Sequence, residues 1–192
     1  MLIIIIFMKQ KLCTFTSEIY HKDKNMALIK EVRGKKPTWG KNCYFSENAT
    51  LAGDITMGND CSVWFGAVLR ADVDAIRIGN GVNIQDCACI HQTEGYPVTL
   101  EDGVSLGHGA VVHACTVHKN ALIGMNAVVL DGAEIGEGAI VAAGAVVLQG
   151  AKIGPYEIWA GIPAHFIKKA SAEQAETFAQ HYMMIKEWYK QS

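Results

Sequence analysis

The sequence predicts an all-β fold: a parallel β-helix of about six triangular coils, followed by one α-helix. Three observations predict it. Downstream of Val117, bulky apolar residues recur every six positions, at Val117, Ile123, Val129, Ile135, Val141, Val147, Ile153 and Trp159. Alanine stands four residues after each of the first six, at Ala121, Ala127, Ala133, Ala139, Ala145 and Ala151. Glycine fills many places between, including Gly124, Gly132, Gly136, Gly138, Gly144, Gly150 and Gly154. A period of six fits neither the helical period of about 3.6 nor simple strand alternation. It fits a coil of strands in which each hexad supplies one short strand and one corner. Three hexads make one coil, and small side chains are needed wherever the inside of a corner is narrow.

Taken in order, residues 1–25 share nothing with the repeat. The opening MLIIIIFM is far shorter than the roughly 20 residues a membrane span needs. Lys9 and Lys11 follow the apolar run instead of preceding it, and no small-residue cleavage site comes next. The expectation is that Met26 is the functional start and that 1–25 is an unstructured leader or a mis-assigned extension. Residues 26–170 carry the repeat. Read backward from Val117, the register runs through Val112, Leu106, Leu100, Ile90, Ile84, Ile78, Val73, Ala67, Cys61, Ile55 and Ala49. The steps Val73–Ile78 and Val112–Val117 are one residue short. The step from Ile90 to Leu100 is four residues too long and holds Glu94-Gly95-Tyr96-Pro97, a turn. The pattern stops at Gly161-Ile162-Pro163. Residues 171–192 read as a helix: Ser171 is the N-cap, and Phe178, Tyr182, Ile185 and Tyr189 fall at helical spacing. This helix is expected to clasp the prism or a neighbouring subunit.

Composition narrows the partners. With 192 residues, 50% of them hydrophobic, the chain can bury one core without a second domain. Charged residues make up 19% and the net charge is -2, without a lysine/arginine block or an aromatic platform, so no nucleic acid partner is expected. No membrane association is expected either, and the location read from the sequence is cytoplasmic. The six cysteines form no CxxC pair and read as reduced thiols packed as small apolar groups. Cys87 and Cys89 could share a soft metal, but core filling is the favoured reading.

Three histidines carry the chemistry. His91 directly follows Ile90, and His113 directly follows Val112; between those two aliphatics lie three hexads, or one coil. The two imidazoles therefore occupy the same position on the same face, about 4.8 Å apart. Both can reach one ion with metal–nitrogen bonds of roughly 2.0–2.1 Å. His108 stands two residues after Leu106, on the preceding face, and cannot easily reach that ion. In a threefold assembly that face can meet the pair of the next chain, so the geometry predicts a homotrimer. Its three intersubunit sites would each hold three histidines and leave one coordination position open. His21, His118, His165 and His181 have no such partner and are not expected to be ligands.

Beside the histidines His91 and Gly107-His108-x4-His113, the chain carries the motifs Arg70-Ala71-Asp72, Ile84-Gln85-Asp86, GMNAVVLDGAEIG and WAGIPAHFIKK. In these, and over residues 34–190 as a whole, it resembles the γ-class carbonic anhydrase-like proteins of the hexapeptide-repeat, left-handed β-helix superfamily. The resemblance implies left-handed coils. It also implies a trimer with two histidines from one chain and one from its neighbour. Zn²⁺ would be the metal, with Fe²⁺ or Co²⁺ as alternatives. By the same resemblance, Arg70 and Asp86 match an interface ion pair with Asp72 in its network. Gln85 matches the residue that hydrogen-bonds metal-bound water, and Tyr182 matches a tyrosine near the metal.

The activity the resemblance implies is reversible hydration of CO₂ to bicarbonate. Relatives with a long acidic loop after the first histidine carry a proton-shuttling glutamate. Here the loop over residues 92–99 is short, Asp72 is followed by Val73, and Glu94 is the candidate substitute. Two other classes stay open: an acyl-CoA thioesterase or acyltransferase of the same fold, and a catalytically silent metal-binding homotrimer.

Overall fold

The computed structural model describes residues 27–190, with the side chains of 172–180 excepted. The expectations for the 1–25 leader, Met26, Cys13 and the side chain of Phe178 lie outside the described residues. From Leu28 to Lys169 the chain winds into a parallel β-solenoid with seven rungs on each of three faces. The third face is the simplest to follow. It stacks Tyr44–Phe45, Ser62–Val63, Asn83–Ile84, Ser105–Leu106, Leu122–Ile123, Ile140–Val141 and Glu157–Ala160 in parallel, and the antiparallel strand His165–Lys169 closes it. The first and second faces join into one sheet because Thr50–Met57 and Val68–Ile78 each run round a corner without a break. The hexad register begins at Ala49; the extra coil, over residues 28–45, lies upstream of it.

Inside, two columns of side chains fill the prism. Ile123, Val129, Ile135 and Val141 are fully buried, as are Ala121, Ala127, Ala139 and Ala145, which belong to one continuous core. The alanines form the inner column beside the corners, where a small side chain lets each of these downstream coils close.

Upstream, the structure corrects the register. Val73, expected to point inward, is 45% exposed. It belongs to an outward bulge between Leu69, which pairs with Leu51, and Ile78, which pairs with Met57. Ala49, Ile55, Cys61 and Ala67 are buried but stand in the small-residue column; Leu51, Met57, Val63 and Leu69, two residues on, form the bulky one. Both columns are apolar here, so a two-residue slip leaves the hydrophobic pattern intact and invisible to periodicity.

One corner shows what the turns demand. Gly66, Cys87, Gly109, Asn126 and Gly144 succeed one another there with φ of 68°, 58°, 69°, 54° and 70°. Glycine and asparagine tolerate this left-handed backbone best. Cys87 adopts it with its side chain exposed, which corrects the expectation that it fills the core. Among the described residues, Cys61 and Cys115 are the buried cysteines.

The helix α1 (Ala172–Lys190) starts immediately after Ser171 and lies against the Ser62–Val63 and Asn83–Ile84 rungs of its own prism. Tyr189 packs against Tyr44, Trp64 and Phe65, and Tyr182 packs edge-on against Trp64 at 5.6 Å. Lys186 is the unexpected element. It is 1% exposed, and its ammonium donates to the carbonyls of Asn42 (3.1 Å) and Asp60 (2.9 Å). Among the described residues no helix is long and apolar enough to cross a membrane.

Candidate metal centre

The site residues read from the sequence fall on the two edges of the first face. At the edge where that face passes into the second lie His91 and His113, the last residues of Cys89–His91 and Val111–His113. These strands pair in register, Val112 on Ile90 and His113 on His91. The inward anchors fix both rings on one outer line, as the hexad count requires. Nδ1 of His91 and Nε2 of His113 are 3.1 Å apart, and the ring centroids are 5.2 Å apart.

A carboxylate holds the other nitrogen of each ring. Asp72 Oδ1 lies 3.1 Å from Nε2 of His91, and Asp131 Oδ1 lies 2.5 Å from Nδ1 of His113. Burial works to raise both carboxyl groups but is outweighed by hydrogen bonds. Arg70 and His91 hold Asp72 below the usual carboxylate range, and His113 and Thr93 do the same for Asp131. Both therefore remain anionic acceptors at neutral pH. All three contacts are hydrogen bonds together only when the two rings share three N–H hydrogens.

At the opposite edge, where the third face passes into the first, sit Gln85, Asp86, His108 and Tyr182. Asp86 and His108 precede the corner residues Cys87 and Gly109, so they stack one coil apart, with Nδ1 of His108 2.7 Å from Asp86 Oδ2. The Tyr182 hydroxyl reaches Nε2 of His108 at 3.3 Å. Burial, then the Asp86 charge, raises the pKa of that hydroxyl. Gln85 is buried and donates to Asn83 Oδ1 (3.0 Å), and Asn83 in turn donates to Ser105 Oγ (2.7 Å). From His108 to His113 the chain runs five residues across the first face, through the Gly109 corner and the strand Val111–His113. His108 is paired with Asp86 and Tyr182 there and is not among the side chains that meet the His91–His113 pair. Among the described residues of a single chain, no three histidine, cysteine or carboxylate side chains converge as an ion site.

The pair itself fits a metal. Two nitrogens bound tetrahedrally at about 2.0–2.1 Å are about 3.3 Å apart. The 3.1 Å between His91 and His113 is close to that without any strand shift. Arg70 is engaged with Asp72 within the chain, at 2.5 Å. His118, expected not to be a ligand, is held by Glu101 at 3.0 Å. Glu94 is exposed at the tip of the turn after His91 and is not among the side chains that meet the pair.

Sequence reasoning missed Asp131, Thr93, Asp74 and Lys186. Asp131 had a readable signal, a carboxylate one coil after His113 at the same corner. The other three had none.

Comparison with known proteins places the chain. Residues 114–149 match the family model for bacterial transferase hexapeptide repeats (six repeats). A carbonic anhydrase of Geobacillus kaustophilus is 41% identical over 166 residues, which cover 85% of this chain and 91% of that protein. The mitochondrial gamma carbonic anhydrase 1 of Arabidopsis thaliana is 37% identical, over 79% of this chain and 58% of that protein. A Bacillus cereus crystal structure, described as that of a proposed acetyltransferase, superposes with a TM-score of 0.83 at 40% identity. It covers 86% of this chain and 98% of that one. On the in-register histidines, the coiled fold and these likenesses together, the chain belongs to the γ-class carbonic anhydrase-like family of hexapeptide-repeat proteins.

Proposed function

We propose that this protein catalyses the reversible hydration of CO₂ to bicarbonate at a metal site shared between chains of a homotrimer. His91 and His113 of one copy and His108 of the next would hold the ion, with Zn²⁺ the expected metal and Fe²⁺ or Co²⁺ as alternatives. The observation that carries the reading is the 3.1 Å approach of two imidazole nitrogens fixed by strand register. Its complement is the position of His108 on the other edge of the same face, where it pairs with Asp86 instead of the two histidines. A second copy is the simplest way to bring the two edges together.

When bound, a divalent ion held by three neutral imidazoles supplies a hydroxide nucleophile at about pH 7. The chain's own groups do the rest. Any hydrogen held between Nδ1 of His91 and Nε2 of His113 would have to leave before both nitrogens could present lone pairs. Asp72 and Asp131 orient the two rings from behind. Gln85 and Tyr182 sit on the His108 edge and so would face the reacting oxygen from the neighbouring chain, Gln85 as its hydrogen-bond partner. Glu94, at the tip of the short loop, is the exposed carboxylate nearest in sequence to His91 and would pass protons to solvent. Arg70, Asp72 and Asp86 would serve the contact between chains. Cytoplasmic location remains the expectation from sequence.

The test is stopped-flow CO₂ hydration with bound metal counted on the same sample. Turnover that rises with metal occupancy supports the reading; full occupancy without turnover overturns the activity. His108→Ala leaves two ligands on each chain, yet should lose stoichiometric metal. Retained metal in that variant would break the intersubunit argument. A second reading, acyl-CoA thioester hydrolysis or acyl transfer, is favoured by the hexapeptide transferase match and the description of the Bacillus cereus protein. CoA release from acyl-CoA in the absence of CO₂ hydration would establish it. If neither reaction proceeds on the metal-loaded trimer, a silent metal-binding assembly is what remains.

A further inference from the structure

The short loop after His91 is fastened to the coil on either side of it. On the side of the earlier coil, Gln92 donates to the Asp74 carbonyl and the Gly95 amide donates to Asp74 Oδ2 at 3.0 Å. On the side of the later coil, the Thr93 hydroxyl donates to Asp131 Oδ2 at 2.9 Å. Tyr96, whose amide closes the turn onto the Thr93 carbonyl at 2.9 Å, lies over Gly132. The two oxygens of Asp131 thus do different things. Oδ2 holds the loop, while Oδ1, 2.5 Å from Nδ1, holds the ring of His113.

We propose that Asp131 is a positioning residue that couples the loop to the histidine pair: one carboxylate sets the tautomer of His113 and latches the 92–97 loop. This rests on the metal reading above and deepens it by naming what keeps the pair ready to bind. With Nδ1–H committed to Asp131, the lone pair of His113 stands on Nε2, the atom that faces His91. Thr93 lies two residues beyond His91, so the same carboxylate also restrains the chain that leaves the other histidine. The two contacts stabilise each other, because an oxygen held by Thr93 fixes the carboxylate plane that His113 meets. Loop order and metal affinity are then linked, and the linkage is reciprocal.

The experiment compares wild type with Thr93→Val, Asp131→Asn and Asp131→Ala by three measurements. These are metal affinity by competition with a chromogenic chelator, the His113 ring tautomer in metal-free protein by ¹⁵N NMR, and amide exchange at Gly95 and Tyr96. Asp131→Ala should lower metal affinity by roughly 10–100-fold, abolish the tautomer preference and speed exchange at both amides. Thr93→Val should keep the tautomer, speed the exchange and weaken metal binding by a few-fold. Asp131→Asn, which can still accept from Nδ1–H, should retain the tautomer. The proposal is overturned if Asp131→Ala leaves the tautomer unchanged, or if Thr93→Val leaves loop exchange and metal affinity as in wild type. If wild type itself binds no metal, the functional reading falls. Tautomer and exchange in the metal-free protein still decide the role of Asp131, and Thr93→Val still decides it if Asp131→Ala fails to fold.

Discussion

Replacing Lys186 with methionine isolates what fastens the terminal helix to the prism. Methionine keeps an unbranched stem in the same space and removes only the ammonium. Of its acceptors, the Asn42 carbonyl keeps a partner, because Lys190 also donates to it at 3.0 Å. The Asp60 carboxylate contact is long, at 3.5 Å, and that side chain is 41% exposed, so its loss costs little. The Asp60 carbonyl, 2.9 Å from the ammonium, is the group left unpaired. Leaving that part-buried carbonyl without its charged donor costs up to about 1–3 kcal/mol, and part is recovered because a charged group no longer has to be desolvated. The net effect on helix docking should be about 1–2 kcal/mol, or roughly 5–30-fold in the local opening equilibrium. The assay is amide hydrogen exchange over residues 181–190, together with a proteolysis time course. Protection should fall in the helix while the solenoid rungs keep theirs. Unchanged helix protection would refute the assignment of Lys186 as the fastening group. Faster exchange throughout the rungs would refute the view that the prism stands without the helix.

Three further outcomes follow from the packing. Val141→Asp places an unpaired carboxylate in a fully buried column, at a cost of several kcal/mol against a total stability of about 5–15 kcal/mol; a soluble variant that melts cooperatively near the wild-type temperature would contradict the inward assignment. Gly107→Ala is a test of coil spacing next to His108. Its new methyl would lie 2.7 Å from the Met125 nitrogen and 2.9 Å from the Gly124 carbonyl carbon, which predicts about 1–3 kcal/mol of destabilisation and a melting temperature lower by about 2–4 °C for each kcal/mol. Asp54 is held below the usual carboxylate range by its hydrogen bond from Arg77, which outweighs burial. Its folded value is depressed, so the stabilisation it brings is present above the unfolded carboxylate value and disappears as pH falls through the folded one. Asp54→Asn should therefore cost up to about 1 kcal/mol near pH 7 and nothing once the wild-type carboxyl is protonated; denaturant melts that show the same difference in acid would reject the Arg77 contact as its source.

What could be read from the residues depended on how locally each feature is specified. From Val117 onward every hexad carries its own instruction, bulky at one inward position and alanine at the other, so counting by six places each side chain without reference to the rest of the chain. Before Val73 both inward columns are apolar, and the bulge that ejects Val73 leaves no mark on the hydrophobic pattern. The His91–His113 register survived because the four extra residues between them form a closed turn, with Thr93 and Tyr96 bridged across it, and so take nothing from the coil count. Asp131 and Lys186 escaped for a different reason. A corner aspartate and a helical lysine are each ordinary where they stand in sequence. Their roles come from Thr93, 38 residues away, and from the Asp60 carbonyl, 126 residues away. The candidate site extends the same logic by one level. Strand register decides which two imidazoles meet within a chain. His108 stands on the far edge of that face and does not join them; on the proposed function, the remaining specificity would lie in how two such faces meet. The mutations that best separate folding from function should therefore be those on the edges of the first face, where a side chain can change its neighbour without changing the coil beneath it.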